Sequence, residues 1–246
     1  MSYTIELNNK YEHFKKSILD IKSIFSNYGS TIHLARNELK TIEIEKTKTV
    51  VKAYKIPNIL NQFVYAHVRK SKPYKAFHNA TKLYNLNINT PEAIAYIEFY
   101  KFGLLKESFF ISKEFEYDFT IAHIRDDQPN YKKKVLEDFA LFAYDIHSKG
   151  VWHADFSGGN ILIKKEQEHY TFSLVDINRM KFHTISEYEG LENFNKLWFN
   201  EEDLTTIAKT YAKVADMNEN RAISEILKHD KILKDKVLLK RKLKGK

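Results

Sequence analysis

The sequence predicts an α+β chain in which a strand-rich N-terminal part precedes a helix-rich C-terminal part. Three observations carry this. First, three short β-type runs, STIHLAR, LKTIEIEK and KTVVKAYKI, follow one another early in the chain, and AIAYIEFY and SFFISKEF resume the pattern later. Second, Val135, Phe139, Phe142 and Ile146 recur at helical spacing, so one long helix with a single buried face opens the second part. Third, that helix is followed by ILI and TFSLVDI, separated by the polar turn KKEQEH, which reads as one hairpin inside an otherwise helical half.

The elements can be justified in order. Tyr11, Phe14, Ile18, Ile21 and Phe25 share one helical face, so a helix is expected over 9–27. The third β-type run stops before Pro57, which cannot continue a ladder. A helical region is expected over 58–86, closed by NINTPEAI, and the SFFISKEF strand is expected to run on into FEYDF. Gly150 stands just past the end of the long helix, where a left-handed cap is favoured. Asn200, followed by Glu201, Glu202 and Asp203, has the form of an N-cap with acids in the first turn. The expected domains are a strand-rich lobe over 1–113 and a helical lobe with a basic tail over 114–246.

With 246 residues, 43% hydrophobic, the chain is long enough to bury a core in one large domain or two lobes. It has no cysteine, which excludes a disulfide scaffold, a Cys-based zinc site and a thiol nucleophile, and suits a reducing compartment. The start lacks the apolar core of a secretory signal, and no stretch approaches the roughly 18 apolar residues of a membrane span. A cytoplasmic location is therefore expected. The net charge is +8, and residues 231–246 (KILKDKVLLKRKLKGK) hold eight Lys/Arg against one Asp. That tail is either a solvated Lys-rich helix end or a surface for an anionic membrane, at about 1 kcal/mol per basic residue near a charged leaflet. Nucleic acid is not an expected partner, since no basic stripe elsewhere is interleaved with aromatics.

The chemistry concentrates in VWHADFSGGNILI, residues 151–163, where two of only seven glycines stand side by side. His153, Asp155 and Asn160 lie at the mouth of the hairpin, and Asp176 ends its second strand. Gly158-Gly159 would let the backbone turn between Asp155 and Asn160 without a Cβ clash. Carboxylates and a carboxamide at one hairpin end make a hard-oxygen site suited to Mg²⁺, and a further carboxylate can accept a hydroxyl proton. Phosphoryl transfer needs that set together with a cation on the nucleotide. VVKAY in the strand-rich half offers Lys52.

These residues resemble a known family. HADFSGGN has the protein-kinase catalytic-loop form H-x-D-x-x-x-x-N, LVDINR stands where kinases carry D-F-G, and VVK where they carry V-A-I-K. With LARNELKTIEI, VVKAYKIPN, NINTPEAIAYIE and LVDINRMKF, the chain is most similar to the lipopolysaccharide core kinases, the Kdo/heptose kinase family, over roughly residues 28–182. The resemblance implies a two-lobed protein-kinase-like fold, with an antiparallel-sheet N-lobe and a mainly helical C-lobe. It implies an ATP-dependent kinase acting on a sugar hydroxyl of Kdo or heptose in the lipopolysaccharide inner core, at the inner face of the inner membrane. Asp155 would be the base, with His153 bracing its loop. Asn160 and Asp176 would hold Mg²⁺, Lys52 would pair the ATP phosphates, and Arg36-Asn37 would cover them. Arg179 is either near the phosphates or a surface residue.

The departures from the pattern are specific. There is no G-x-G-x-x-G, and no acid lies between Glu45 and Glu92, where a helix Glu usually partners the strand Lys. His78 or Asn79 is then the expected substitute. Ser157 stands where Ser/Thr protein kinases carry Lys, Asn178 fills the third position of D-F-G, and no A-P-E follows. These departures disfavour a regulated protein kinase. The alternatives are another small-molecule or protein kinase of this fold, or an inactive nucleotide-binding pseudokinase.

Overall fold

The computed structural model of the protein describes residues 2–34, 36–127, 129–167, 169–186 and 188–243. It divides into two compact units, 1–115 and 116–246.

The first unit opens with strand β1 (Ser2–Leu7), an element not among those expected above. The expected helix over 9–27 is present in three pieces: a 3-10 turn (Asn9–Phe14), α1 (Lys15–Leu19) and α2 (Ile21–Asn27). Tyr11 has non-helical torsions (φ −116°, ψ 25°) and Asp20 lies outside the helical region (φ −90°, ψ 9°). The axis bends at both, yet the five apolar residues named above all stay buried. Strands β2 (Ser30–Leu34), β3 (Glu38–Ile44) and β4 (Thr47–Ala53) follow as expected. The helical region after Pro57 is two helices, α3 (Ile59–His67) and α4 (Lys72–Asn85), each started by a side chain that accepts from the backbone: Asn58 from Asn61 N–H and Ser71 from Tyr74 N–H. Pro73 in the first turn of α4 fits its fixed φ.

Strands β5 (Ala93–Lys101) and β6 (Leu104–Lys113) complete a six-stranded antiparallel sheet of order β1-β5-β6-β4-β3-β2. Strand β6 ends at Lys113 rather than running on into FEYDF. The core of this unit lies between the sheet and the opening helices, where Phe14, Ile18 and Ile21 meet Ile97, Phe109 and Ile111.

The second unit places β7 (Phe119–Thr120) and α5 (Ile121–Asp127) before the long helix α6 (Lys132–Ser148), whose Val135, Phe139 and Ile146 are fully buried. Gly150 ends it at φ +71°, as a left-handed cap requires. A short β8 (Val151–His153) leads into the catalytic-type loop, then β9 (Ile161–Glu166) and β10 (His169–Leu174) form the hairpin. Strand β11 (Met180–Phe182) pairs with β8, so the chain on both sides of the hairpin is tied together; Met180 opposes His153. Helices α7 (Glu189–Glu192), α8 (Glu201–Ala215) and α9 (Glu219–Leu243) finish the unit, with Asn200 capping α8 by accepting from Asp203 N–H. Antiparallel sheet in the first unit and dominant helix in the second give the expected α+β class.

Candidate active site

The loop from His153 to Asn160 is held by its own polar groups. Burial keeps the His153 ring neutral, its pKa lowered, so one nitrogen donates and the other accepts. Asp155 N–H donates to Nδ1 at 3.1 Å, so the proton sits on Nε2, which donates to the Val175 carbonyl at 3.0 Å. One ring thus clamps the loop to the residue before Asp176. Asn160 closes the loop in two ways. Its Nδ2 donates to the Asp155 carbonyl at 2.9 Å, which turns its Oδ1 away as a remaining acceptor, and its own carbonyl accepts from Val175 N–H at 3.0 Å. His153, Asp155, Asn160 and Asp176 are therefore brought together around Val175.

The glycine pair works differently from the expectation. Neither Gly158 nor Gly159 has a positive φ; they form a 3-10 turn with Asn160. A Cβ on Gly158 would come within 2.9 Å of Ala122 N at the start of α5, whereas one on Gly159 would meet nothing within 4 Å. Gly158 is needed for close packing, not for an unusual torsion. Asp176 itself adopts a left-handed conformation (φ 53°, ψ 41°), which Asp tolerates, and its Oδ1 accepts from Asn178 Nδ2 at 2.6 Å.

Two residues complete the surroundings of Asp155. Arg179 NH1 lies 3.6 Å from Oδ2, while half of its side chain is exposed to solvent. Lys196 Nζ lies 3.3 Å from Oδ1 and donates to the Ala154 carbonyl at 2.6 Å. Lys196 had no sequence cue; it comes from a 3-10 turn (Asn193–Lys196) far downstream. That turn is anchored by a buried relay. Asn193 Nδ2 donates to the His153 carbonyl at 3.0 Å, so its Oδ1 must accept from His147 Nε2 at 3.2 Å, leaving His147 Nδ1 to accept from Tyr211 O–H at 3.1 Å. Phe156, fully buried, stacks on Phe139 and meets Phe194 of the same turn. One turn, through Asn193, Phe194 and Lys196, is thereby docked to three successive parts of the loop.

The remaining predicted residues lie in the first unit. Lys52 is half-buried in the middle of β4, opposite Leu39 on β3 and Phe110 on β6, with Nζ 5.4 Å from the Tyr54 ring centre. Arg36 and Asn37 form the turn between β2 and β3, and Asn37 Oδ1 accepts from Lys55 N–H at 3.3 Å. Arg36 also borders a cavity of about 240 Å³ with Tyr54, Asn58 and Ser71. His78 faces an acid: its Nε2 lies 3.6 Å from Glu6 Oε2, so the carboxylate that reaches α4 comes from β1. The expectation that the tail meets a membrane falls partly on residues 244–246, outside the described residues.

Among the described residues no three His, Cys, Asp or Glu side chains gather as a metal cluster. A carboxamide oxygen and a carboxylate beside each other are a sparse, all-oxygen donor set. That set fits Mg²⁺, which keeps waters and phosphate oxygens as its other ligands, and does not fit zinc.

A solved structure described as WaaP in complex with acyl carrier protein superposes with a TM-score of 0.64 at 14% identity, covering 95% of this chain and 97% of that one; the likeness is one of fold. A solved structure of WbdD is similar over 81% of this chain and 50% of its own, at 11% identity and a TM-score of 0.48. No curated protein matches the sequence. The lipopolysaccharide kinase (Kdo/WaaP) family matches residues 55–219, a span that contains the loop, Asp176 and Lys196, and the chain belongs to that family.

Proposed function

We propose that the protein transfers the γ-phosphoryl group of ATP to a sugar hydroxyl of the lipopolysaccharide inner core, that of Kdo, with heptose as the alternative acceptor. The observation that supports this best is the environment of Asp155, a half-buried carboxylate with Lys196 and Arg179 facing its two oxygens and Asn160 fixed to its carbonyl. In this reading Asp155 accepts the proton of the acceptor hydroxyl as the new O–P bond forms, and the bond to the bridging oxygen of ADP breaks. Asn160 and Asp176 would hold Mg²⁺, which neutralises phosphate charge. Lys196 and Arg179 supply positive charge beside the reacting oxygen, taking over from the lysine that Ser157 replaces. Lys52, Arg36 and Asn37 would bind the ATP phosphates, and His153 keeps the loop in register.

A membrane-borne glycolipid acceptor places the protein at the cytoplasmic face of the inner membrane, where the basic end of α9 would meet anionic headgroups. The test is phosphate transfer from ATP to Kdo-lipid A by the wild type and Asp155→Asn, with a heptose-bearing core as the second acceptor. The variant is expected to lose about 10³-fold in rate; equal transfer by both proteins would remove Asp155 as the base.

A further inference from the structure

Helix α3 is rolled the opposite way from an ordinary surface helix, which buries its apolar stripe and shows its polar face to water. In α3 the buried residue is Gln62, while Ile59 (67% exposed), Leu60 (77%) and Phe63 (54%) face outward. Polar contacts fix that roll. Gln62 Nε2 donates to the Pro57 carbonyl at 2.8 Å and its Oε1 accepts from Lys106 Nζ of β6 at 2.8 Å. At the other end, His67 Nε2 lies 3.1 Å from the Gly103 carbonyl in the β5–β6 turn. The outward face is extended by exposed Ile56 before the helix, by Val68 (73%) after it, and by Phe102 (90%) beside Gly103. Single exposed apolar residues need no explanation, but six on one helix, its two ends and the turn tied to it do.

The segment that carries this face holds charge of one sign. Between Glu45 and Glu92 the sequence holds nine Lys/Arg and no acid, and Lys55, Arg69, Lys70 and Lys101 occupy exposed positions flanking α3 and Phe102. A second copy of the chain would bring like charges together across such a contact, which opposes self-association. Protruding Leu, Ile and Phe with a rim of Lys and Arg suit the boundary between headgroups and acyl chains of an anionic bilayer.

We infer that α3, with Phe102, is an interfacial docking face through which the first unit rests on an anionic membrane. The inference rests on the reading of the acceptor as a membrane glycolipid, and it places a membrane contact on α3 of the first unit in addition to the basic end of α9.

The test is co-sedimentation of the full chain with phosphatidylcholine vesicles, with and without phosphatidylglycerol, in the absence of nucleotide and acceptor. The wild type is expected to bind the anionic vesicles, less so as salt rises. Leu60→Ser/Phe63→Ser should lower the partition at least about tenfold, and Arg69→Glu/Lys70→Glu by about tenfold. Both should keep the wild-type thermal midpoint and the wild-type transfer rate to detergent-dispersed Kdo-lipid A. Unchanged vesicle binding by Leu60→Ser/Phe63→Ser overturns the inference, as does complete loss of binding on changing only Lys240, Arg241 and Lys242 to Glu. Loss of a dimer by the first variant with vesicle binding intact assigns the face to a second copy. Binding of an acidic soluble protein but not of vesicles assigns it to a protein partner. A chain that partitions as expected but transfers no phosphate overturns the kinase reading and leaves the docking face standing.

Discussion

Lys196 and Arg179 approach opposite oxygens of Asp155, so the charge beside the proposed base is supplied by residues outside the loop that carries it. Removing Lys196 should act on the chemical step: Lys196→Met is expected to lower kcat about 10²-fold with a smaller change in KM, and Lys196→Arg to recover part of it. Steady-state transfer assays read this directly. Gly158 gives a second prediction at this scale. Gly158→Ala forces a Cβ against Ala122 N and should destabilise by about 1–3 kcal/mol, whereas Gly159→Ala should stay within about 0.5 kcal/mol in denaturant unfolding. The loop residues themselves were legible, because a spacing of fixed residue types survives in one dimension. Lys196 was not, since nothing local distinguishes NFNK from any other polar turn. Only the fold brings it to Asp155.

At the scale of elements, the 3-10 turn Asn193–Lys196 is the piece on which the site's geometry depends. Asn193→Ala strands a buried His147 N–H and the His153 carbonyl together, at about 1–3 kcal/mol for each unpaired group. It should also reduce transfer while leaving vesicle binding unchanged, because α3 lies in the other unit; calorimetry and the transfer assay separate the two effects. Helix α6 could be read from period, and strands β2 to β5 from their β-type runs, whereas β6 begins and ends earlier than its run suggested. Strand β1 is not among the expected elements, although YTIEL alternates: Ile5 and Leu7 pack on the core while the residues between face solvent, and its place is set by the ladder it makes with β5. The opening helix shows the opposite error. Helical spacing from Tyr11 to Phe25 is real, yet period reports which side faces the core and says nothing of bends at Tyr11 and Asp20 that preserve that side. Helix α3 is expected as a helix, but its roll was not legible, because Ile59, Leu60 and Phe63 are exposed while Gln62 is buried.

Across the whole molecule, buried histidines tie stability to pH. Burial lowers the His147 pKa from 6.5 to about 4, against weaker opposing effects from Asn193 and Glu189, and His153 is lowered by the same cause. The unfolded chain therefore binds protons that the folded one refuses. Stability from His147 is complete above pH 6.5 and falls as pH drops toward about 4, by on the order of 3 kcal/mol. Denaturant midpoints should decline over that window, and His147→Gln should flatten the decline, since it removes the titrating ring; an unchanged slope would mean His147 is not its source.

Strand β1 has a consequence for how the chain reaches this state. Its ladder joins Ser2 to Tyr100 and Leu7 to Ala95, so during synthesis this strand has no partner until β5 has left the ribosome. Until then β5, with seven of its nine residues buried in the finished fold, would present an open edge. Closing that edge is a non-local step, which is slow relative to helix formation. Folding speed and loss to aggregation should therefore respond more to changes in residues 2–7 than their exposed side chains suggest.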